Sequence, residues 1–376
     1  MTLLNDDQKW WKNVPEDEIE KHYQTLKGTK FAPRHYDQST RKQNIQTFHE
    51  YTKKNSHRIV RGDKVKQTFF GSRIITPYHP HRYSERTTAN SSDRPATEAW
   101  KKEERLKRAI RLTIAKGKEP TYENVRNTFM EYKLGRIPTF FSPAQSAGII
   151  QKYSKPGDTV LDPFSGYGGS IPAAASLNRK FIGIDLNERS IKGNRKMARD
   201  LTRTLKLPKD QLQLMHGDSP KTMNKDLPAN SVNLIYTSPP YFDRERYGKK
   251  GTGQSWEKEN YQKWLTDFYV PTLKGMNRVV KKEGTVAINI APLKKNGLIT
   301  HALDKHTVAL AKEMGFKYVG KKKLMIGFHG GGNPGFEKNM DRYEPILIFK
   351  KTGKPNVKSA KAKALKLAKK SGKKAY

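Results

Sequence analysis

A short polar sequence, Thr-Ser-Pro-Pro-Tyr at 237–241, comes directly after an apolar run at 232–236. The length and composition of that run predict a buried strand. Residues just past the carboxyl end of such a strand reach the crevice in which open α/β sheets bind their ligands. We therefore expect the chemistry of this protein at 237–241. A Pro-Pro turn followed by a packing tyrosine is the purely structural alternative.

The residue types at this turn suit a reaction at an amino group on an aromatic ring. Such an amine is a poor nucleophile because its lone pair is delocalised into the ring. The Ser238 hydroxyl and the Pro239 carbonyl are two acceptors that can hold the amine hydrogens out of the ring plane. Pro240 keeps that carbonyl rigid without adding an amide donor. Tyr241, together with Phe242, offers a face on which a flipped base can stack. The expected reaction is a direct in-line transfer without a covalent enzyme intermediate.

A glycine-rich turn, Val-Leu-Asp-Pro-Phe-Ser-Gly-Tyr-Gly-Gly-Ser at 160–170, has the pattern of a strand that ends in an acid and turns into a helix. Glycines such as Gly166 and Gly168 let the backbone approach a bound molecule closely. NAD-binding sheets also use such a turn, but their fingerprint needs free amides for a pyrophosphate, which Asp162 would repel. Asp162 suits instead a cationic amino-acid group. S-adenosylmethionine carries an ammonium and a sulfonium and no phosphate.

Two further aspartates end the next strand-like runs of the chain. Asp185 closes the run at 181–185 and is placed to accept hydrogen bonds from ribose hydroxyls. Asp218 follows the run at 213–216, near the expected position of an adenine amine. Each aspartate alone can be an ordinary helix cap. Acids at three successive strand ends instead indicate a bound nucleoside, so we predict S-adenosylmethionine as the cofactor and no metal site.

The charge balance indicates a polyanionic partner. The 376 residues include 74 lysines and arginines against 36 acids, a net charge of +38 at pH 7. A basic surface gains affinity for a phosphate backbone by releasing condensed counterions, so nucleic acid is the favoured partner. An anionic membrane surface is the weaker alternative, because no amphipathic anchor stands out. Arg244 and Arg246, just after the catalytic turn, either contact the substrate strand or are ordinary surface charge.

The chain contains no cysteine. This excludes disulfides, thiolate zinc sites, iron–sulfur clusters and a pyrimidine carbon-5 methyltransferase that adds a cysteine to the ring. No apolar run approaches the ~20 residues of a membrane span, and the first residues lack the basic and apolar regions of a signal peptide. We expect a soluble protein of the cytoplasm, associated with the nucleoid, or of the nucleus in a eukaryotic host.

Strand-like and helix-like segments alternate over 137–350, which predicts a Rossmann-like parallel sheet with helices on both faces and a closing antiparallel hairpin. Residues 1–95 are predicted to form a polar N-terminal region. Residues 96–136 form a basic helical segment that lies on phosphates or is an ordinary surface helix. Residues 351–376 are a lysine-rich tail that self-repulsion should keep disordered. We interpret this tail as a phosphate-binding arm, with nuclear localisation or solubility as alternatives.

In these motifs the chain resembles the S-adenosylmethionine-dependent amino-methyltransferases of DNA, which modify adenine N6 or cytosine N4. The sequence at 162–169 looks like the cofactor loop of that family, 237–241 like its catalytic tetrapeptide with a preceding threonine, 141–146 like a further cofactor-contacting segment and 343–350 like its closing strand. The resemblance spans about 137–350. It implies cofactor contacts from Phe141, Ser142, Asp162, Pro163, Phe164, Gly166, Gly168, Asp185, Asp218 and Thr237. It implies catalytic and substrate contacts from Ser238, Pro239, Pro240, Tyr241, Phe242, Arg244 and Arg246.

The resemblance leaves the target less defined than the reaction. Serine at the first position of the tetrapeptide resembles the cytosine-N4 enzymes, whereas aspartate or asparagine is usual for adenine-N6, so cytosine is favoured. An RNA base methyltransferase and a catalytically silent nucleic-acid-binding protein with this fold stay open. No insertion for a conventional recognition domain lies between 218 and the closing strand, so we assign recognition of double-stranded DNA to residues 1–130. A cognate nuclease for restriction–modification, a partner subunit and a homodimer are not decided by the sequence.

Overall fold

The computed structural model describes residues 13–31, 38–66, 70–79, 96–132, 134–135, 141–242, 255–295, 298–325 and 343–371. These residues form two compact units. The first, here called the helical unit, consists of 13–31, 96–132 and 134–135. The second, here called the sheet unit, consists of all the other described residues.

Fourteen helices and eleven strands occur in the described residues. The helices are α1 (Glu16–Leu26), α2 (Gln38–Asn55), α3 (Ser72–Ile75), α4 (Ala96–Trp100), α5 (Glu103–Ala115), α6 (Tyr122–Glu131), α7 (Pro143–Tyr153), α8 (Ser170–Ser176), α9 (Glu188–Leu205), α10 (Ser219–Lys225), α11 (Tyr261–Lys263), α12 (Val270–Val279), α13 (Leu303–Glu313) and α14 (Val357–Ser371). The strands are β1 (Val60–Arg61), β2 (Lys64–Val65), β3 (Thr159–Asp162), β4 (Lys180–Asp185), β5 (Leu212–His216), β6 (Val232–Thr237), β7 (Val280–Asn289), β8 (Leu293–Lys295), β9 (Leu298–His301), β10 (Phe316–Met325) and β11 (Tyr343–Lys351). A π-helical stretch, Trp264–Tyr269, joins α11 to α12.

Four helices, α1 and α4 to α6, build the helical unit. Helix α1 begins after Pro15 with acids in its first turn, as the sequence predicts, because carboxylates suit the positive end of the helix dipole. Within the basic helical segment, the sequence pattern predicts one helix at 96–116, which the structure divides into α4 and α5 by a break at 101–102. The core of this unit consists of buried apolar side chains, mainly Ile19, Leu26, Phe31, Trp100, Leu106, Ile110 and Phe129.

Two of the four cations on α5, and Lys116 just past its end, have acidic partners within the helical unit. These ion pairs join α5 and its C-cap to acids on α1, α5 and α6. Part of the charge on this helix is therefore balanced internally, which favours an ordinary surface helix over one that lies on phosphates. The pairs connect Lys107 to Glu20 and Glu103, Arg111 to Glu16, and Lys116 to Glu131.

A nine-stranded sheet organises the sheet unit, in the order β1-β2-β10-β11-β7-β6-β3-β4-β5. Strands β3 to β7 are mutually parallel, and β11 runs antiparallel to both of its neighbours, β7 and β10. This arrangement confirms the predicted fold class, a Rossmann-like sheet with a closing antiparallel hairpin. The chain leaves β3 toward β4 and later returns to the other side of β3 as β6. The loops after β3 and β6 therefore diverge and open a crevice at the carboxyl edge of the sheet.

Helices cover both faces of the sheet because alternate side chains of each strand point to opposite faces. Val160 of β3 and Leu234 of β6 belong to the core under α7, α8 and α9. Leu161 and Ile235, one position further along each strand, belong to the core under α12 and α13. Both cores are apolar on the strand side, so the central strands are buried on both faces and are a rigid support for the loops that follow them.

The predicted N-terminal region at 1–95 does not form a single unit. Residues 36–79 group with the sheet unit, whereas the residues before them group with the helical unit. Strand β2 pairs in parallel with β10, and Ile45 and Phe48 of α2 are fully buried in the core under α8. The short apolar clusters in this polar segment therefore extend the sheet and its core.

The lysine-rich tail is the main correction to the sequence-based prediction. Residues 357–371 form α14, so the prediction of a disordered tail is wrong for this segment. Ala360 and Ala364 are completely buried against the sheet unit, which stabilises a helix that self-repulsion would otherwise weaken. A second difference occurs near residue 300. The sequence pattern predicts a helix at 299–314, whereas residues 299–301 form the end of β9, which pairs with β8, and α13 begins at Leu303. No helix among the described residues is long and apolar enough to cross a membrane.

Candidate active site

The two motifs singled out in the sequence meet at the carboxyl edge of the sheet. Asp162 ends β3 and Thr237 ends β6, and these strands are parallel neighbours. Thr237 Oγ1 donates a hydrogen bond of 2.7 Å to Asp162 Oδ1. The backbone amide of Phe164 donates to the same oxygen at 3.2 Å, and Ser170 Oγ donates to Asp162 Oδ2 at 3.3 Å. This carboxylate therefore connects the glycine-rich turn with the catalytic turn.

The Asp162 carboxyl group lies in a desolvated position. Its side chain is buried, and burial raises the pKa of the carboxyl to about 7. Its hydrogen-bond donors among the described residues are neutral, and no lysine, arginine or histidine there forms an ion pair with it. A buried carboxylate of this kind gains most from a cationic group bound beside it. The residues present therefore fit a ligand with an ammonium or a sulfonium group.

The glycine-rich turn needs glycine for two physical reasons. Gly166 and Gly168 have φ values of +46° and +71°, in the left-handed region that side chains disfavour. A Cβ at Gly169 would lie 1.9 Å from the backbone oxygen of Phe141, so the turn packs directly on that segment. Asn194 Nδ2 donates to the Gly166 carbonyl at 3.0 Å and holds the turn from α9. The turn is thus a rigid cradle rather than an adaptable loop.

The other two predicted acids differ in what they contact. Asp185, at the end of β4, accepts a 2.7 Å hydrogen bond from the Gly166 amide and a 2.8 Å bond from the Asn187 amide. Burial raises its pKa, so this carboxylate also lies in a desolvated position beside the glycine turn. Asp218 is the N-cap of α10 and accepts from the Lys221 amide at 3.1 Å. It has the helix-cap role that the sequence left as an alternative.

The segment at 141–146 lies where the sequence predicts it. The ring of Phe141 stacks on Tyr236 with a centroid distance of 4.6 Å and an angle of 4°. Ser142 is the N-cap of α7, and its hydroxyl donates to the Phe70 carbonyl at 3.3 Å. The segment therefore contacts both the glycine turn, through the Phe141 carbonyl, and the strand that leads to the catalytic turn. Nearby, the Pro163 carbonyl accepts a hydrogen bond from Ser219.

The catalytic turn, residues 237–241, differs from the glycine-rich turn in how its polar atoms are hydrogen-bonded. Ser238 is half-buried, and neither its hydroxyl nor the Pro239 carbonyl has a hydrogen-bond partner in the described part of the chain. The Tyr241 hydroxyl accepts a 2.6 Å hydrogen bond from the amide of Ala291, just past β7. Phe242 packs against Tyr261 and His301 with centroid distances of 5.5 and 5.6 Å. The aromatic residues are thus fixed, while neither acceptor is occupied by a described residue.

Most of the predicted site residues surround this one crevice, whereas Arg244 and Arg246 lie outside the described residues. Five further residues contact these groups without having been predicted from the sequence: Ser170, Asn194, Tyr236, Ala291 and His79. His79 Nε2 lies 3.1 Å from Asn194 Oδ1, across a separation of 115 residues. Contacts of this kind carry no local sequence signal, because each residue alone is an ordinary polar side chain. Ser170 is the exception that the sequence could have indicated, because it lies inside the glycine-rich motif at 160–170.

The parallel sheet with its reversed last strand, the glycine cradle after β3 and the acids at successive strand ends define the S-adenosylmethionine-dependent methyltransferase fold. The particular family follows from sequence comparison. The chain belongs to the N6_N4_Mtase family, described as DNA methylase, whose sequence model matches residues 4–196 and 232–376. The two matched segments include both the cofactor turn and the catalytic turn.

Individual relatives match shorter stretches. The Type II methyltransferase M.MjaVI of Methanocaldococcus jannaschii is 34% identical over 96 residues, which cover 26% of this chain and 46% of that protein. The DNA adenine methyltransferase YhdJ of Escherichia coli K12 is 41% identical over 71 residues, which cover 19% of this chain and 24% of that protein. The chain therefore spans less than half the length of these curated relatives.

Solved structures with a similar chain path are distant in sequence. A SAM-dependent methyltransferase from Aquifex aeolicus is 16% identical with a TM-score of 0.34, covering 55% of this chain and 89% of that one. TYW2 of P. horikoshii in complex with MeSAdo is 15% identical with a TM-score of 0.33, covering 56% of this chain and 64% of that one.

Proposed function

We propose that this protein methylates an exocyclic amino group of a base flipped out of double-stranded DNA, with cytosine N4 favoured over adenine N6. The observation that carries the proposal is a pair of acceptors, Ser238 Oγ and Pro239 O, that have no hydrogen-bond donor among the described residues and lie beside the Asp162–Thr237 hydrogen bond. Two acceptors at one turn match the two hydrogens of an aromatic amine. Holding those hydrogens out of the ring plane localises the lone pair on nitrogen.

The aromatic residues of the turn have a positioning role in this proposal. A flipped base needs a fixed face to stack on once it has left the duplex. Tyr241 supplies that face, because its hydroxyl is anchored on the Ala291 amide, and Phe242 is supported by Tyr261 and His301. Arg244 and Arg246 stay predictions as contacts to the substrate strand.

S-adenosylmethionine supplies the methyl group on a sulfonium and leaves as a thioether. We assign its cationic amino-acid end to Asp162 and the glycine cradle, and its ribose to Asp185, whose carboxylate lies at the adjacent strand end. The predicted cofactor contacts are Phe141, Ser142, Asp162, Pro163, Phe164, Gly166, Gly168, Asp185, Asp218 and Thr237. Asp218 is the weakest of these, because α10 already uses its carboxylate as a cap.

The choice of base has two candidates. Serine at position 238 favours cytosine N4, through the resemblance of Ser-Pro-Pro-Tyr to the catalytic segment of the cytosine enzymes. Adenine N6 is the second candidate, because a relative that matches 71 residues at 41% identity is named a DNA adenine methyltransferase. The name of the other relative, a Type II methyltransferase, suggests a restriction–modification context for this chain as well.

The test is incubation of the protein with isotope-labelled S-adenosylmethionine and unmethylated duplex DNA, followed by nucleoside mass spectrometry. We expect labelled N4-methylcytosine in the duplex; labelled N6-methyladenine would instead establish the second candidate. Ser238→Ala should lower the rate of transfer by about 10²- to 10³-fold while the cofactor still binds in calorimetry. Transfer to RNA alone would replace DNA as the substrate. Absence of both transfer to any polymer and cofactor binding would overturn the enzyme assignment and favour a silent nucleic-acid-binding protein.

A further inference from the structure

Helix α14 is held in place along one face. Ala360 and Ala364 are completely buried, and α14 packs against α13, the π-helical stretch and α11. At its start, the Ser359 hydroxyl donates a 2.5 Å hydrogen bond to Glu313 of α13, and the Asn356 amide donates to the Glu313 carbonyl. The helix therefore presents a fixed outer face rather than a freely moving arm.

That outer face is covered by lysines without acidic partners. Helix α14 carries six lysines and no acid, and all six are exposed. None of them forms an ion pair within the described parts of the chain. Several of them are three residues apart, where like charges repel and weaken a helix. The six are Lys358, Lys361, Lys363, Lys366, Lys369 and Lys370.

The basic helix α5 of the same chain has a different arrangement. Lys107, Arg111 and Lys116 on or next to α5 each pair with a glutamate of the helical unit. Solubility alone does not require a helix with charges of only one sign, because a mixture of positive and negative side chains keeps a surface soluble equally well. The unbalanced charge on α14 is therefore complementary to a polyanion outside the protein.

Helix α14 runs toward the carboxyl edge of the sheet, where residues 237–241 lie. Helix α13 follows His301, which packs on Phe242 beside the catalytic turn, and it ends at Glu313 near the opposite edge. Helix α14 starts at Glu313 and contacts α11, whose Tyr261 also packs on Phe242. Fifteen helical residues span about 22 Å, enough to return along the sheet to that edge.

We propose that α14 is a phosphate-contacting surface, and that its lysine face binds the backbone of the duplex flanking the target base. This inference rests on the proposed function, because the polyanion is the DNA substrate. Lysine side chains contact phosphates without reading sequence, so α14 contributes affinity and orientation and leaves the choice of site to other residues. Each phosphate neutralised releases condensed counterions, so the contribution of α14 depends steeply on salt.

The test removes four of these charges by replacing Lys358, Lys361, Lys366 and Lys369 with glutamine, which keeps helix propensity. Affinity for an unmethylated 30-base-pair duplex is measured by fluorescence anisotropy between about 50 and 300 mM salt. We expect the slope of log K against log salt to become shallower by about 3.6, because four phosphate contacts are lost and each removes about 0.9. Cofactor affinity, measured by calorimetry, should not change.

The matched control removes four exposed lysines on or next to α7 and α9, which cover the other face of the sheet. Its slope should change by less than 1. These lysines are Lys152, Lys155, Lys196 and Lys209. Circular dichroism checks that α14 still folds in the quadruple variant. If the quadruple variant loses the helix, the single variant Lys366→Gln is measured instead, and its slope should change by about 0.9.

The outcomes separate this inference from the proposed function. An unchanged slope in the α14 variant, or an equal change in the control, overturns the inference while wild-type methylation still stands. A shallower slope supports it even where the wild-type protein transfers no methyl group. Loss of binding to anionic vesicles with unchanged duplex binding would assign α14 to a lipid surface and overturn the proposal.

Discussion

The two halves of the candidate active site are organised in opposite ways. On the cofactor side, Asp162, Asp185 and the Gly166 backbone all have hydrogen-bond partners within the protein. On the catalytic side, Ser238 Oγ and Pro239 O have none in the described part of the chain. Among the described residues, the first half is a closed network, and the second is a pair of acceptors without donors on a rigid support.

This difference reflects what each half has to recognise. A cofactor is the same molecule in every turnover, so a cradle fixed before binding loses little entropy when it binds. A reacting amine changes its charge and geometry during transfer, and groups that stabilise it must be free to accept hydrogen bonds at that moment. Substitutions in the two halves should therefore separate into effects on cofactor binding and effects on transfer.

Ser238→Ala is expected to have the largest effect of these substitutions. Removing one preorganised group that stabilises a transition state typically lowers kcat by about 10²- to 10³-fold. The cofactor Kd should stay within about twofold, because no hydrogen bond within the described part of the chain joins Ser238 to the glycine turn. Single-turnover methylation and calorimetry measure the two quantities. Ser231→Ala, which removes only a hydrogen bond to the Pro228 carbonyl, is the control. A rise in cofactor Kd that matches the loss of kcat would show that the two halves are not separate.

Asp162→Asn tests the cofactor half. The amide keeps the shape of the side chain but removes the charge that a cationic ligand group needs, so the cofactor Kd should rise about 100-fold. Asp158→Asn is a matched control, because Asp158 lies just before the other end of β3 and accepts from the Lys155 amide. Calorimetry on both variants gives the comparison. Equal affinities in the wild type and Asp162→Asn would mean that the carboxylate serves only the fold.

The parts of the site that follow from the sequence are those built from neighbouring residues. A strand that ends in an acid and a glycine turn is visible within about ten residues, and the parallel pairing of β3 with β6 then brings Asp162 beside Thr237. The fold class can also be predicted from the sequence, because alternating strands and helices can pack in only a few ways. The contacts of Asn194 and His79 could not be predicted from the sequence, because they depend on how α9 packs against the segment before residue 80.

The lysine-rich tail shows why local composition is not sufficient. Lysine repulsion predicts disorder for residues 357–371, but two alanines on one side of the helix find a complementary apolar surface on α13 and the π-helical stretch. Likewise, residues 38–66 have too few apolar residues for a core of their own, yet Ile45 and Phe48 complete the core of the sheet unit. In both cases the partner surface, which the local sequence does not contain, decides the structure.

Tyr241→Ala should lower kcat/KM for duplex DNA by about 30-fold, because stacking a base on an aromatic side chain contributes about 1–3 kcal/mol. Tyr241→Phe keeps the ring and loses only the hydrogen bond from the Ala291 amide, so a loss of about fivefold is expected. Steady-state kinetics on both variants separates stacking from anchoring. If the two variants were equally impaired, the hydroxyl rather than the ring face would be the important group.

The pH dependence of cofactor binding should report the desolvated carboxylate. Burial raises the pKa of Asp162 to about 7, so in the free protein the carboxyl is neutral below that pH and charged above it. A cationic ligand group needs the charged form, so affinity should increase with pH and be about tenfold weaker at pH 6 than at pH 8. Calorimetry across this range measures the change. The slope should vanish in Asp162→Asn, and a persistent slope there would assign the titration to another group.

The smallest effect is expected at His79, which supports the cofactor cradle indirectly. His79 Nε2 faces Asn194 Oδ1 at 3.1 Å, and Asn194 Nδ2 donates to the Gly166 carbonyl at 3.0 Å. His79→Ala removes one hydrogen bond and leaves Asn194 less restrained. The KM for the cofactor should therefore rise about fivefold, the usual effect of losing one hydrogen bond, while kcat at saturating cofactor stays unchanged.

Two further variants separate this positioning role from a general loss of stability. His79→Gln can still donate to Asn194 and should recover most of the KM. Tyr78→Phe, on the same segment, loses a 2.7 Å hydrogen bond to Asp200 and should lower the Tm without changing the KM for the cofactor. If Tyr78→Phe raised the KM as much as His79→Ala, the whole segment rather than the His79–Asn194 contact would set the shape of the cradle. The closed half of the site would then extend over the entire segment at 70–79.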